Sequence, residues 1–303
     1  MKASVRSNPT VGSMFVLGAA LLWGTTGTAQ AFAPAGFDST VIGALRLVIG
    51  GIALLLLAGL RGEIGPLGNW KFLPLLLAAV FTASYQLCFF AAVAKTGVAV
   101  GTIVGIGSSP IAGGLLGWLF RGEKPSQRWF VATALAIVGC ALLSLGGEAL
   151  KVDPLGILLA LGAGASYAAY TLAIKGLLDH HSPNAVMALV VCLGALLLSP
   201  LIIGRDLAWL AQPRAILVVL HLGLATMALS YILFARGLQH VQVGTAVTLS
   251  LAEPMTASLL GIFVLGEVMT AQAFGGIGLI FSGLLILALP VHLLRRARGT
   301  GIV

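Results

Sequence analysis

The sequence predicts an all-α polytopic membrane protein in which ten transmembrane helices form two inverted repeats of five helices. Its composition is 59% hydrophobic and 9% charged, with a mean hydropathy of +1.07, whereas soluble proteins carry about 25% charged residues. The apolar residues form long runs, and the runs of the second half repeat those of the first half at a constant distance. These three observations together set the fold class.

Ten apolar runs divide the chain, each close to the roughly 20 residues that a helix needs to cross a bilayer. The breaks between them are short and contain Gly, Pro, Asn and Asp, which are typical of turns. Because no break is long enough to form a soluble domain, we expect a single transmembrane domain over residues 1–303. The runs cover about residues 11–33, 39–60, 70–93, 98–120, 127–146, 154–175, 183–204, 214–236, 243–265 and 271–291.

The two halves are related by a shift of 144 positions without a gap. This shift places Pro254 on Pro110. It also places the Gly-Glu pair at Gly266 on the pair at Gly122. Aligned prolines, Gly-Glu pairs and hydropathy breaks indicate a duplicated bundle. Five spans in each half force the second half to enter the membrane from the opposite side, so the repeats are inverted. They cover about residues 10–146 and 154–291.

Lysine and arginine are expected to mark the cytoplasmic loops of a membrane protein. With the N-terminus inside, twelve of the 17 basic residues fall on the cytoplasmic side and four on the other, while Arg46 lies inside a span. We therefore expect both termini in the cytoplasm, and a first run that is retained as a helix and not cleaved as a signal. The cytoplasmic set is Lys2, Arg6, Arg61, Lys71, Arg121, Lys124, Arg128, Lys175, Arg236, Arg295, Arg296 and Arg298; the other set is Lys95, Lys151, Arg205 and Arg214.

Several classes of function are disfavoured by what the sequence lacks. The net charge of +8 is explained by topology and forms no basic stripe, so no nucleic-acid partner is expected. Cys88, Cys140 and Cys192 lie in apolar runs without metal-ligand spacing, which predicts packing residues and no metal or other cofactor. No HExxH, Gly-x-Ser-x-Gly or Walker motif is present, so neither an enzyme nor direct use of ATP is expected.

Polar and aromatic residues near the middle of the spans are the candidates for substrate binding, because inverted repeats place such a site near the midplane at their interface. Aromatic rings and amides could hold a zwitterion and its side chain. The alternative for each one is packing, an interfacial aromatic belt, or a hydroxyl bonded to its own helix. The candidates are Trp23, Gln30, Tyr85, Gln86, Ser109, Tyr167, Tyr170, Tyr231 and Glu253.

Glu253 is the sharpest candidate, because its repeat mate is Ser109 and the scaffold therefore does not require an acid there. We expect it either to bind a substrate amino group or to act as a proton site; the alternative is an inert carboxyl group held by a neighbouring hydroxyl. Arg46 is first interpreted as structural and second as a group that captures a substrate carboxylate. Pro110 and Pro254 are either simple bends or hinges.

The chain resembles the drug/metabolite transporter superfamily, EamA type. The resemblance rests on Trp23-Gly24, Arg46 and a Pro-x4-Leu-Leu-Gly-x4-Gly-Glu pattern that begins at Pro110 and again at Pro254. It implies a central cavity formed by eight helices, with the fifth and tenth helices outside as supports.

Within the superfamily the chain is most similar to the YddG group of amino-acid exporters. This similarity implies a secondary transporter that exports aromatic or a broader set of neutral amino acids by alternating access across a bacterial inner membrane. Its partners would be the amino acid and the surrounding lipid. The alternative is export of another small metabolite or a drug, since the superfamily moves many compounds. An intramembrane enzyme or a channel is less favoured.

The topology leads to the first prediction, that the loop near residue 148 is outside while both termini are in the cytoplasm. Cysteines introduced at Glu148 and at Arg298 should react with an impermeant reagent from opposite sides of the membrane. Labelling of both positions from the same side would contradict the inverted repeat.

Overall fold

The computed structural model describes residues 8–144, 153–268 and 270–289. Within these ranges ten helices are long and apolar enough to cross a membrane, and no strand is formed. The predicted all-α fold is therefore confirmed. We number the helices in chain order: Pro9–Ala31 (α1), Val41–Leu60 (α2), Phe72–Gly97 (α3), Val100–Arg121 (α4), Gln127–Ser144 (α5), Pro154–Leu178 (α6), Pro183–Ile202 (α7), Pro213–Leu238 (α8), Val243–Leu265 (α9) and Ala271–Ala288 (α10).

Helix starts follow local chemistry that the sequence contains. Asn8 precedes Pro9, and its side chain accepts a hydrogen bond from the Val11 amide at 3.3 Å. Asp153 precedes Pro154 in the same way and accepts from the Gly156 amide at 2.7 Å. An Asn or Asp cap satisfies a free helix amide, and proline at the first helical position loses no hydrogen bond.

The Gly-Glu pairs end α4 and α9 with the same backbone geometry. Gly122 has φ 66° and Gly266 has φ 74°, which is the left-handed region that glycine adopts without strain. The following amides close the cap, with Glu123 N donating to the Gly117 carbonyl at 3.1 Å and Glu267 N to the Gly261 carbonyl at 3.0 Å. The repeated sequence thus builds a repeated helix end.

The helices are arranged with two-fold pseudosymmetry between the halves. Helix α1 packs against α8 and α9, and its repeat mate α6 packs against α3 and α4. The second helices of the two halves, α2 and α7, pack together. Helices α5 and α10 pack mainly against each other, outside the other eight. This exchange of equivalent contacts is what two inverted five-helix repeats require.

Consecutive spans define two membrane faces. We call the face at which α1 begins the N-terminal face and the other the distal face. Helices α2, α4, α6, α8 and α10 end at the N-terminal face. The loop near residue 148 and several of the basic residues used for the topology lie outside the described ranges, namely Lys2, Arg6, Lys151, Arg295, Arg296 and Arg298, as does Glu148.

The repeat symmetry breaks inside α8 and α9. Helix α8 contains a π-helical turn at Leu224–Leu229. Helix α9 is interrupted at residues 250 and 251, so it consists of Val243–Leu249 followed by Ala252–Leu265. Its mate α4 stays helical through Pro110. Irregular backbone at membrane depth is tolerated where protein surrounds it, and both irregular turns lie in the second half.

The outer pair α5 and α10 is held by close backbone contact at glycines. A Cβ atom at Gly283 would lie 2.6 Å from the Ala132 carbonyl oxygen, and one at Gly139 would lie 2.6 Å from the Gly276 carbonyl oxygen. Gly139 and Gly283 are equivalent positions of the two repeats. Small residues of this kind let membrane helices approach closely, and dispersion contacts then hold them together.

We therefore expect Gly283→Val to push α10 away from α5 and to lower the unfolding free energy by about 1–3 kcal/mol, the usual cost of overpacking. Thermal unfolding in detergent measures this change. Gly278→Val on the same helix is the matched control, because no atom lies within 4 Å of a Cβ atom there. Equal melting temperatures for the two variants would contradict the packing role.

Candidate functional site

A cavity of about 410 Å³ lies between the two halves. Helices α1, α2 and α3 of the first half and α6, α8 and α9 of the second contribute most of its wall, and Ile106 of α4 adds to it. Eight of the nine candidate binding residues line this cavity, which thus brings together side chains far apart in sequence. They are Trp23, Gln30, Tyr85, Gln86, Tyr167, Tyr170, Tyr231 and Glu253.

Aromatic rings make up much of the cavity wall, in two packed groups. Tyr167 is central, with ring centroids 5.5 Å from Tyr85 and 4.9 Å from Tyr170 at 88°. Trp23 and Tyr231 form a second pair at 5.5 Å and 71°. These are the distances and edge-to-face angles at which aromatic rings attract one another. The packed rings therefore give the cavity a large apolar surface beside its polar groups.

The backbone of α1 lies directly on α9 beside the cavity. A Cβ atom at Gly24 would lie 2.9 Å from the Glu253 carbonyl oxygen and 2.5 Å from the Thr256 Cβ atom. Only glycine fits at this approach, and it places Trp23, the next residue, on the cavity near Glu253. The Trp23-Gly24 pair of the sequence therefore positions both an aromatic ring and a helix contact.

The carboxylate of Glu253 reaches the cavity and forms no hydrogen bond or ion pair with any residue that the structure describes. Two neighbouring hydroxyls donate to other acceptors: Tyr167 Oη donates to Ser250 Oγ at 2.7 Å, and Ser250 Oγ donates to the Ala246 carbonyl at 3.0 Å. The hydroxyls of Tyr85 and Tyr231 also line the cavity. A carboxyl group in such surroundings favours a cationic partner or a proton.

Arg46 lines the same cavity as Glu253. Its Nε is buried without a hydrogen-bond partner, and within the described part of the chain no carboxylate lies within ion-pair distance of it. Its position only about 10 Å along its helix favours the structural role, whereas its place on the cavity fits the second interpretation, capture of a substrate carboxylate. The sequence feature that indicates a functional role is an arginine inside a membrane span, because such residues are rare and costly and usually belong to a functional site.

Ser109 and Pro110 do not line the main cavity. Ser109 donates to the Gly105 carbonyl at 2.8 Å and lines a narrow void of about 20 Å³ that it shares with Tyr85, Tyr167 and Glu253. Pro110 is buried and does not line the main cavity, whereas Pro254 does. The repeat therefore gives the two prolines different surroundings.

The interruption of α9 follows from Pro254, which has no N–H to donate to the Ser250 carbonyl. That carbonyl instead accepts from the Glu253 amide at 2.9 Å, and the Leu251 amide bonds the Thr248 carbonyl at 3.1 Å. These tighter three-residue bonds separate the two segments of α9. Discontinuous helices of this kind carry the binding sites of many transporters.

Among the described residues, no group of three or more His, Cys, Asp or Glu side chains is placed to hold a metal ion. The polar groups of the cavity are instead amides, hydroxyls and two opposite charges. This set suits a small organic ligand bound by hydrogen bonds and ion pairs.

A polar cavity between inverted repeats of transmembrane helices defines a membrane transporter. Comparison with known families agrees, since the model of the EamA-like transporter family matches residues 10–145 and 154–289. The chain belongs to this family, and with it to the drug/metabolite transporter superfamily.

Individual relatives extend over most of the chain. The uncharacterized transporter YwfM of Bacillus subtilis is 46% identical over 276 residues, which are 91% of this chain and 93% of the relative. The threonine/homoserine exporter RhtA of Escherichia coli is 31% identical over 242 residues, 79% of this chain and 78% of the exporter. One crystal structure superposes with a TM-score of 0.80 at 18% identity, covering 94% of this chain and 98% of that one, and shows the likeness of fold alone.

From the composition of the cavity wall we expect Trp23→Ala, Tyr85→Ala and Gln86→Ala to change the ratio of transport rates across a panel of candidate substrates more than they change folding. Each variant removes a ring or an amide from the wall while the helix remains. Trp118→Ala, on an exposed ring of α4 (52% exposed), is the control. Unchanged rates for every compound in all three cavity variants at equal expression would show that these residues contribute to packing and not to substrate selection.

Proposed function

We propose that the protein is a secondary transporter that exports neutral amino acids, aromatic or a broader set, from the cytoplasm by alternating access. The observation that carries this proposal is the pair of opposite charges on one aromatic-walled cavity, Arg46 and Glu253, neither of which forms an ion pair with any residue that the structure describes. A free amino acid carries both complementary charges. Both cavity charges gain a partner when such a zwitterion binds.

The roles follow from the chemistry of each group. Arginine binds a carboxylate through two parallel hydrogen bonds, so Arg46 would hold the substrate carboxylate. Glu253 would accept the ammonium group, and its alternative role is to carry a proton during the cycle. The amides of Gln30 and Gln86 and the tyrosine hydroxyls would complete the polar contacts, while the aromatic wall receives the side chain. The volume lies within the range of small-molecule sites, roughly 300–1,000 Å³.

The relatives support amino acids as the substrate class, because RhtA is named a threonine/homoserine exporter. We place the protein as a single transmembrane domain in a bacterial inner membrane with both termini in the cytoplasm. The basic residues of the N-terminal face support this orientation. Apolar residues exposed around the bundle would contact lipid. The bends at Pro110 and Pro254 are proposed as hinges, and the protein is proposed to act as a carrier and not as an enzyme.

Export of another metabolite or of a drug is the second candidate. The observation that favours it is the aromatic wall, because tyrosine and tryptophan faces also bind flat or cationic compounds that carry no carboxylate. Such compounds would use Glu253 and leave Arg46 without a partner. The two candidates therefore differ in whether a carboxylate is required.

Purified protein in liposomes tests the proposal. Radiolabelled neutral amino acids are compared with their methyl esters, which lack the carboxylate, and with their N-acetyl forms, which lack the ammonium, with and without a proton gradient. We expect transport of the intact zwitterions only. Transport of the esters in preference to the amino acids would favour drug or metabolite export, and transport of none of the three would contradict the proposed substrate class.

Glu253→Gln is expected to impair transport of the neutral amino acids in these liposomes while the protein stays folded, because glutamine keeps the size of the side chain but cannot ionise. If Glu253 titrates during the cycle, wild-type transport depends on pH and the variant loses that dependence. If it only binds the ammonium group, the variant binds more weakly at every pH. Transport rates and affinities measured from about pH 5 to 8 separate these outcomes.

Glu267→Gln is the matched control, since Glu267 is a glutamate just after the end of the same helix that lies exposed, away from the cavity. A Glu253→Gln protein with wild-type rate, affinity and pH profile would show that the acid is a neutral structural group.

A further inference from the structure

The cavity extends from the midplane toward the distal face and is closed toward the N-terminal face. Its residues on α1 all lie at or after Trp23, in the second half of that helix, and its residues on α9 all come from the second segment. None comes from the first segment, Val243–Leu249. Phe234, Leu238 and Ile174 lie on the N-terminal side of the cavity and are fully buried. The structure therefore has one closed face.

A cluster of four charged side chains sits at this closed face. Glu123 bonds Lys175 Nζ at 2.6 Å and lies 3.5 Å from Arg121 Nε. Arg121 in turn pairs with Asp179 at 2.9 Å and 3.2 Å. The Glu123 and Lys175 side chains are only 13% and 12% exposed. We call these four residues the inner latch.

The inner latch joins the ends of α4 and α6 to the beginning of α9. The second carboxylate oxygen of Glu123 accepts a hydrogen bond from the Val243 amide at 2.7 Å. Lys175 also donates to the Val241 carbonyl. Removing one partner of a buried ion pair is strongly destabilising, because the remaining charge loses its nearest opposite charge.

Among the described residues the distal face has the exposed ion pair between Arg205 and Asp38 but no equivalent of this cluster at the repeat-related positions. The repeat mate of Glu123 is Glu267, but the mates of Arg121, Lys175 and Asp179 are Leu265, Ala31 and Ala35. Three of the four charges therefore have no charged mate in the other repeat, so the repeat does not build the same cluster at the distal face. The Gly-Glu pairs at Gly122 and Gly266 end both helices in the same way, whereas the other three latch charges occur at the N-terminal face alone among these repeat positions.

The first segment of α9 links the latch to the cavity. It begins at Val243, whose amide Glu123 holds, and ends at the interruption beside Glu253. Its far end is tied to α6 by the 2.7 Å bond from Tyr167 Oη to Ser250 Oγ. Helix α6 thus holds this segment at two levels, through Tyr167 at the cavity and through Lys175 at the membrane face. At seven residues the segment is a short rod of about 10 Å.

We infer that Val243–Leu249 is the moving gate of the N-terminal face, that the interruption at residues 250 and 251 is its hinge, and that the inner latch holds it shut. The inference rests on the alternating-access part of the proposed function. Opening requires the Glu123–Lys175 pair to part and the segment to swing about the interruption while Ala252–Leu265 stays with the cavity. Because Tyr167 belongs to the cavity wall, a bound substrate that moves its ring alters the bond to Ser250 and so the position of the gate.

Val247 offers a reporter for this motion. It is 1% exposed and lines the narrow void beside the cavity. In a background in which Cys88, Cys140 and Cys192 are replaced by alanine, Val247→Cys is labelled with an impermeant maleimide from the N-terminal face, without substrate. We expect Lys175→Met to raise the labelling rate at least about tenfold, since it removes the cation 2.6 Å from the buried Glu123 carboxylate and the bond from α6 to the Val241 carbonyl, and leaves Arg121 at 3.5 Å as the remaining cation.

Lys124→Met is the matched control, because Lys124 is an exposed lysine on the same face outside the latch. Equal labelling of the Lys175→Met and Lys124→Met proteins would overturn the latch. Since no substrate is present, this result does not depend on whether amino acids are transported.

A crosslink tests the gate in a second way. A Cβ atom at Gly113 would lie 3.3 Å from the Val247 Cβ atom, close to the separation of about 3.5–4.5 Å in disulfides. We expect the oxidised Gly113→Cys, Val247→Cys protein to lose exchange of radiolabelled threonine and to regain it when reduced, while each single variant is unaffected by oxidant. Full exchange in the oxidised protein would show that α4 and the first segment of α9 do not separate. A wild-type protein that exchanges no threonine would contradict the substrate and leave the labelling result valid.

Discussion

Backbone hydrogen bonding in hydrocarbon is the constraint on which the rest of this structure depends. A peptide group in lipid must find its partner within the protein, so the chain crosses the membrane as helices. The constraint is relaxed only where protein encloses the backbone. The interruption of α9 and the π-helical turn of α8 both occur beside buried residues such as Tyr231 and Ser250. The irregular backbone therefore has buried side chains on one side, while Leu224 and Leu229 at the two ends of the π-helical turn are exposed.

Duplication supplied the scaffold, and departures from the duplication supplied the chemistry. Equivalent positions of the two repeats have structural roles. Gly122 and Gly266 end helices, while Gly139 and Gly283 allow α5 and α10 to pack closely. The charged groups of the cavity and of the inner latch have no charged mates, apart from Glu123. A symmetric bundle would favour its two faces equally. Differences between the halves are what can make one face close in a way the other does not.

Much of the candidate site could be predicted, because intramembrane polar residues are rare and costly and therefore stand out. Trp23, Tyr85, Tyr167 and Glu253 were found by depth in a span alone, and the structure gathers them on one cavity. Carboxylate capture is only the second interpretation of Arg46 from the sequence, because the residue lies about 10 Å along its helix, where an arginine can snorkel to the membrane surface. Pro110 and Pro254 looked equivalent in sequence, yet only α9 is interrupted, since helix continuity depends on neighbouring contacts as well as on proline.

By itself the sequence determined the membrane environment, the ten spans, the repeat and the helix ends, because hydropathy, period and capping act over a few residues at a time. Only the tertiary structure decided which side chains share the cavity, that Arg46 and Glu253 face it without an ion pair among the described residues, and that Glu123 and Lys175 meet across α4 and α6. Those features depend on contacts between residues separated by tens to hundreds of positions. Local sequence does not encode such distances, and the packing of the helices sets them.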